Sequence, residues 1–126
     1  MRKLAVLVPL LLALFTSAAF AADKPRIAVA SEGKAPSSQV SSVAARCPYF
    51  LVFDDKGKLL EALDNPHKNA SGGAGALVAD FLSRKGATVI IAGAFGQNLV
   101  GAMKAKGMNY LEFKGSAADA VKKALK

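Results

Sequence analysis

The sequence contains one cysteine and no tryptophan. Because a single cysteine cannot close an intramolecular disulfide, the disulfide-stapled folds common among small exported domains are excluded. His67 is the only histidine, and a thiol and an imidazole alone cannot complete a tetrahedral zinc site. Cys47 is therefore interpreted as a protected core thiol, a thiol that pairs with another molecule, or a ligand to a metal whose other ligands come from elsewhere.

Motifs of catalysis and of nucleic-acid binding are also missing. The only adjacent carboxylates, Asp54 and Asp55, suit a turn better than paired metal binding. The glycine turn at 93–96 lacks the Lys-Ser/Thr of a phosphate-binding P-loop, and no serine lies in a nucleophile elbow. We therefore expect no enzymatic activity; a Cys47–His67 nucleophile–base pair or a nuclease is the alternative. No aromatic residues alternate with a basic stripe, so we expect no nucleic-acid binding.

The longest apolar run lies at the N-terminus. Arg2 and Lys3 precede it, and Ala19-Phe20-Ala21 has the small-x-small form of a cleavage site. This pattern predicts a signal peptide over residues 1–21 and a periplasmic or secreted protein; an uncleaved anchor is the alternative. The remaining residues, 22–126, suffice for one domain. Their apolar runs are too short to cross a bilayer, so we expect no membrane association after cleavage.

The predicted mature chain is moderately basic. Without Arg2 and Lys3, fifteen basic and nine acidic residues remain, and the net charge is +6. The lysines are scattered along the chain rather than grouped in one block. They are interpreted as solvated surface charges, with a cleft that attracts an anionic ligand as the second interpretation.

Hydrophobic periodicity predicts an α/β fold. Strands are expected at 26–31, 49–54, 58–63, 88–92 and 109–113, and helices at 74–85, 98–106 and 117–125. The inner faces of the first and last helices are predicted to carry Ala74, Leu77, Val78, Phe81 and Leu82, and Ala118, Val121 and Leu125. One helical turn is expected around 40–44, and Ser116 is expected to cap the last helix. The tight turn at 55–57 predicts a hairpin, and the later strand–helix alternation requires parallel crossovers. A mixed five-stranded sheet in a three-layer α/β/α sandwich follows.

Two glycine-rich segments lead directly into predicted helices. They lie at 72–75 and 93–97, and bare amides at a helix N-terminus favour an anion. Ligands of parallel sheets bind at the carboxyl ends of the strands, where these segments are expected to meet. Glycine is also common in such turns for steric reasons alone, which is the alternative. If a metal binds, a preformed anionic cluster held by amides, one thiolate and one imidazole is favoured over a simple ion.

The order of these motifs resembles a known family. RIAVAS, CPYFLVFD, DNPH, GGAGALVADFLSRKGATVIIAG and FGQN occur in succession over 26–125, and together they resemble the dinitrogenase iron–molybdenum cofactor-binding family. The resemblance implies a ribonuclease H-like fold and carriage of a cluster without catalysis. It implies a molybdenum–iron or molybdenum–copper sulfide cluster, or a single copper or iron ion, exchanged with protein donors and acceptors by a monomer or weak dimer.

The resemblance also implies site residues. Cys47 and His67 correspond to metal-ligand positions, and the cofactor-binding positions are Arg46, Gly72, Gly73, Gly93, Gly96, Gln97 and Asn98. There is one departure from the family. Many members have Ser-Glu-His-Phe-Gly-Arg where this chain has Ser-Ser-Val-Ala-Ala-Arg at 41–46, so Val43 replaces a histidine and Ala45 a glycine. A metal-free interaction module on the same fold is therefore the alternative function.

Overall fold

The computed structural model describes residues 25–126; the predicted signal peptide lies outside them. The elements occur in the predicted order. They are β1 (Ile27–Ser31), β2 (Tyr49–Phe53), β3 (Leu59–Asp64), α1 (Ala74–Arg84), β4 (Val89–Ala92), α2 (Gln97–Ala105), β5 (Asn109–Glu112) and α3 (Ala117–Ala124). Within the described residues, no helix is both long enough and apolar enough to cross a membrane.

The five strands form one mixed sheet, as predicted, in the order β3-β2-β1-β4-β5. β1 pairs antiparallel with β2 and parallel with β4. The hairpin of β2 and β3 is antiparallel, and β5 continues the parallel side. Strand β1 lies at the centre of the sheet, and every residue of it is buried, as expected of a strand covered on both faces.

Helices cover both faces of the sheet. On one face, Ala28, Phe50 and Ile90 pack in the same core as α1 and α2. On the other face, Val29 and Leu51 pack in the same core as α3. Since successive side chains of a strand point to opposite faces, each central strand contributes to both cores. The predicted three-layer sandwich is confirmed.

The predicted helical turn at 40–44 is wrong. Val40 instead forms a β-bridge with Ser31, and Gln39 forms one with Ser116. The Ser41 amide donates to the Ala30 carbonyl at 2.7 Å. The segment runs along the end of β1 because it satisfies backbone groups that the strand leaves unpaired, and these long-range bonds outweigh a single helical turn.

The predicted inner faces of two helices are partly wrong. In α1, Leu77 is 43% exposed, whereas Gly75 is buried. A Cβ on Gly75 would lie 2.6 Å from the Leu99 nitrogen of α2. Because the Gly75 side of α1 packs against α2, Leu77 lies on the solvent side of the helix. In α3 the buried residues are Ala117, Ala120 and Val121. The predicted Ser116 cap is confirmed, since its side chain accepts from the Asp119 amide.

Two leucines of α1 test this packing. Leu82 is fully buried and Leu77 is 43% exposed. We expect Leu82→Ala to lower the free energy of unfolding by about 2–5 kcal/mol, since it leaves a cavity in the core. Leu77→Ala is the matched control and should change it by no more than about 0.5–1 kcal/mol. Urea denaturation followed by circular dichroism measures both, and equal losses would contradict the observed rotation of the helix.

Candidate functional site

The loops that contain the predicted site residues meet at one end of the sheet. Strands β1, β4 and β5 end at this edge, and because β2 is antiparallel, its first residue Tyr49 lies opposite Ser31 of β1 and Asp64 of β3. The loops that follow β1, β3 and β4 therefore share this edge. All of the predicted site residues lie in these loops or in the helix starts that follow them, as expected for a sheet with parallel strands.

Helices α1 and α2 both begin at this edge without a side-chain cap. Their N-cap residues are Gly73 and Gly96, and neither helix has an acidic residue in its first turn. Helix α3 differs, because it has the Ser116 cap and Asp119 in its first turn. The first amides of a helix have no partner within the helix, and no side chain caps those of α1 and α2. The dipoles of the two helices add positive potential at this edge.

The two helix starts touch each other. Because a Cβ on Gly75 would lie 2.6 Å from the backbone nitrogen of Leu99, only glycine allows α1 to approach the first turn of α2 so closely. Gly75 is therefore required for packing. Its position brings the two helix N-termini side by side.

A cleft of about 560 Å³ opens over these helix starts. It brings together six of the seven predicted cofactor-binding residues. Its lining consists of Val43, Ala45, Arg46, Gly72, Gly73, Ala74, Gly75, Gly96, Gln97, Asn98 and Leu99. No acidic side chain is among these lining residues, so the charge that the cleft presents is positive.

Two glycines of the cleft have no packing role. A Cβ added to Gly72 or Gly96 would meet nothing within 4 Å. The φ of Gly96 is −77°, which any residue adopts, so neither sterics nor backbone conformation requires glycine there. Only Gly73 needs it for its positive φ of 67°. The bare backbone at Gly72 and Gly96 leaves room for a ligand to approach the amides directly.

Arg46 is held at the wall of the cleft. Its Nη1 donates to the carbonyls of Lys68 and Ala70 at 3.1 and 2.7 Å. Since a guanidinium has five N–H donors, its other nitrogens remain available on this exposed side chain. Arg46 therefore adds a permanent positive charge, in a fixed orientation, next to the two helix N-termini.

Gly93 lies outside this cleft. Its amide donates to the Ser41 carbonyl at 2.8 Å, and a Cβ there would lie 2.8 Å from the Cα of Ser42. It lines a neighbouring cleft of about 720 Å³. Glycine is required at position 93 because the backbone of Ser42 lies so close. Of the predicted glycine turn at 93–97, only Gly96 and Gln97 line the cleft over the helix starts.

Cys47 is buried just before β2. It is 1% exposed, and its Sγ lies 3.2 Å from the Tyr49 carbonyl and 3.5 Å from that of Ala44. Burial raises the pKa of the thiol from 9.0 to about 12, because desolvation disfavours the thiolate. The thiol is protonated at neutral pH, and it does not line the cleft.

His67 lies in the loop that follows β3, also outside the cleft lining. Its ring is partly buried and packs edge-on to Phe81, with the ring centroids 6.1 Å apart. Cys47 and His67 thus share the sheet edge, but among the described residues no hydrogen bond joins their side chains. Within residues 25–126, no group of three or more His, Cys, Asp or Glu side chains could hold a metal ion.

Asn65 is the residue of this edge that the sequence did not single out. It is 3% exposed, and its Nδ2 donates to the carbonyls of Ala45 and Cys47, each at 2.9 Å. Its Oδ1 accepts from the His67 amide at 2.9 Å. The sequence signal was an Asn-Pro pair that ends a strand, which indicates a turn but does not indicate these long-range partners.

The chain and its fold are similar to proteins of known structure. Two solved structures are similar: the apo form of the orange protein from Desulfovibrio gigas (30% identity, 79% of this chain and 86% of that one, TM-score 0.75) and a NifB-like protein from Thermotoga (33% identity, 78% and 84%, TM-score 0.67). A protein described as a dinitrogenase from Methanocaldococcus jannaschii (12% identity, 81% and 88%, TM-score 0.52) shares the fold alone.

A comparison with proteins of curated function gives no significant sequence match. The sequence profile described as dinitrogenase iron-molybdenum cofactor matches residues 24–126, which is most of the chain. The structural relatives agree with this match over more than three quarters of the chain. The chain therefore belongs to the dinitrogenase iron–molybdenum cofactor family.

Proposed function

We propose that this protein binds an anionic metal–sulfur cluster without catalysis, in the cleft over the starts of α1 and α2. One observation carries the proposal: two uncapped helix N-termini and Arg46 face a single cleft that has no acidic lining residue. Each helix N-terminus is equivalent to about half a positive charge. With the guanidinium, the cleft presents roughly two positive charges, which matches a dianion.

The rest of the lining supports a sulfide-rich anion. Val43, Ala45 and Leu99 contribute apolar wall, and such a wall cannot replace the tight hydration shell of a small oxyanion. Sulfide-rich anions are larger and more weakly hydrated, so they lose less hydration free energy when they enter the cleft. The bare backbone at Gly72 and Gly96 fits a bulky ligand that is bound by amides.

A cluster fits the described residues better than a single copper or iron ion does. An ion needs several protein ligands, and no group of three candidate ligands exists within 25–126. A preformed cluster brings its own sulfide ligands and needs only a charged cradle. Cys47 and His67 remain predicted metal ligands; coordination by Cys47 requires its thiol to leave the carbonyls of Ala44 and Tyr49. Molybdenum with iron or copper is the composition that the family suggests.

The absence of catalysis is part of the proposal. No hydroxyl, imidazole or carboxylate side chain lines the cleft, so it offers no general base or nucleophile. The proposal also includes export, on the pattern of residues 1–21. Determination of the N-terminus of the protein purified from its own cell tests this component.

A metal-free interaction module is the second candidate. Val43 favours it, because this residue is 50% exposed at the wall of the cleft, where an apolar side chain suits contact with a protein. The burial of Cys47 also agrees with a site that has no thiolate ligand. Failure of the protein to bind thiometalate anions would favour this candidate.

Arg46 and Arg84 provide a charge-matched test of the cleft. Arg84 lies in the last turn of α1 and pairs with Asp80 at 3.0 Å, away from the cleft. In calorimetric titrations with tetrathiomolybdate, we expect the wild type to bind about one equivalent. Arg46→Gln should weaken binding about tenfold, because it removes one charge at the site, whereas Arg84→Gln should leave it within about twofold. Equal effects of the two variants would show that only net charge matters.

Gly96 and Gly101 provide a steric test. A Cβ at either position meets nothing within 4 Å, but Gly96 lines the cleft and Gly101 lies exposed on α2. We expect Gly96→Ala to weaken tetrathiomolybdate binding about tenfold, with a change in stability of no more than about 1 kcal/mol. Gly101→Ala should leave affinity unchanged and stabilise the helix by about 0.5–1 kcal/mol. Unaltered binding by Gly96→Ala would place the ligand elsewhere.

The thiol of Cys47 can be tested by alkylation. Because burial raises its pKa to about 12 and the thiolate is the nucleophile, iodoacetamide should modify the native protein at pH 8 at least about 100-fold more slowly than the urea-unfolded protein. Mass spectrometry measures the rate, with Cys47→Ala as the blank. Rapid modification of the native protein would mean that the thiol reaches solvent and is ready to bind metal.

A further inference from the structure

Asn65 is a buried polar residue whose side chain is fully used. Its Nδ2 binds the carbonyls of Ala45 and Cys47, and its Oδ1 accepts from the His67 amide. Its own backbone amide donates to the Pro48 carbonyl at 3.0 Å. An asparagine amide is required for this pattern, because it has two donors on one nitrogen together with an acceptor oxygen.

The two carbonyls that Asn65 binds belong to the residues on either side of Arg46. The backbone of Arg46 is thereby held at both of its neighbours. Its guanidinium is held by Lys68 and Ala70, in the same loop that Asn65 begins. Both ends of the arginine are thus attached to one loop, and Asn65 anchors that loop to the chain before β2.

Apart from the bonds to Asn65, one backbone hydrogen bond joins residues 42–47 to another segment, from the Ala44 amide to the Ala94 carbonyl at 3.1 Å. Residues 41–48 contain neither helix nor strand, so no regular backbone hydrogen-bond ladder holds them. Arg46 itself is exposed, and no carboxylate within the described residues forms an ion pair with it. A long exposed arginine loses substantial rotamer freedom when it is fixed, so the supporting hydrogen bonds decide whether its charge stays at the cleft.

We infer that Asn65 is the positioning residue of the anion cleft: its side-chain amide fixes the segment that carries Arg46, so that the guanidinium is already in place when the anion arrives. This inference rests on the proposed function and identifies the residue on which its affinity depends. A ligand that meets a fixed charge does not have to order it on binding, and affinity rises accordingly.

Asn65→Asp separates the two arms of the side chain. Ionised aspartate keeps an oxygen that can accept from the His67 amide, but it has no donor for the carbonyls of Ala45 and Cys47. The turn after β3 is therefore retained while the attachment beside Arg46 is lost. Asn65→Ser is the second variant; it avoids the buried carboxylate and cannot span both carbonyls.

The decisive experiment is a double-mutant cycle with Arg46→Gln, read as the dissociation constant for tetrathiomolybdate. If Asn65 acts through Arg46, Asn65→Ser should weaken binding by about tenfold in the wild type and by no more than about twofold in the Arg46→Gln background. Asn65→Asp should weaken binding in both backgrounds, because its carboxylate also repels the anion. Val121→Ala is the stability control, because Val121 is buried on the opposite face of the sheet. It should lower the melting temperature while leaving affinity within about twofold of wild type.

Each outcome of the cycle is decisive. A folded Asn65→Ser variant that binds as the wild type does, or that loses as much affinity in the Arg46→Gln background, would overturn the inference and leave the proposed function standing. A wild-type protein that does not bind tetrathiomolybdate would overturn both. If Asn65→Asp does not fold, the cycle is read from Asn65→Ser. Loss of affinity in Val121→Ala would assign the effect to stability alone and overturn the positioning role.

Discussion

The contact between Gly75 and Leu99 is the constraint on which the rest of this structure depends. It places the N-termini of α1 and α2 side by side, although two positive helix ends repel each other. The shared core that includes Val78, Leu82 and Met103 holds the helices in this arrangement. Burial of apolar side chains therefore offsets an electrostatic cost and creates a concentrated positive potential at one edge of the sheet.

The missing caps have the same origin. The chain can cap a helix fully, as Ser116 does for α3, yet α1 and α2 begin with glycine and have no acidic first turn. Glycine in place of a side-chain cap costs only about a few tenths of a kcal/mol for each helix, so these helices begin at a small loss of stability. Departures from local stability rules are expected at functional sites. Here both departures face the same cleft, which supports the assignment of ligand binding to this edge rather than to the opposite one.

The cleft and the cysteine are separate parts of the site. Arg46 lies at the surface with most of its donors available, whereas Cys47, the next residue, is buried and protonated. Asn65 binds the carbonyls of both Ala45 and Cys47, so the exposed charge and the hidden thiol are held by the same side chain. Rotation of the Cys47 side chain alone leaves the bond from Asn65 to the Cys47 carbonyl intact, whereas a shift of the Cys47 backbone toward a ligand would break it. This arrangement agrees with the proposed binding by charge and backbone amides rather than by direct coordination.

The sequence by itself determined the fold class, the order of the elements and most of the cleft. Runs of apolar residues predicted the strands of the sheet, and the glycine-rich segments at 72–75 and 93–97 predicted where backbone amides would gather, because both signals are local. Of the second segment, only Gly96 and Gln97 line the cleft. Only the tertiary structure decided which faces and atoms are accessible. In the folded protein Leu77 is exposed and Cys47 is buried. The Gly93 amide donates to the Ser41 carbonyl, and the Asn65 side chain donates to the carbonyls of Ala45 and Cys47. These outcomes depend on contacts between residues distant in the chain, and the identity of a residue does not specify which distant carbonyl or core it will meet.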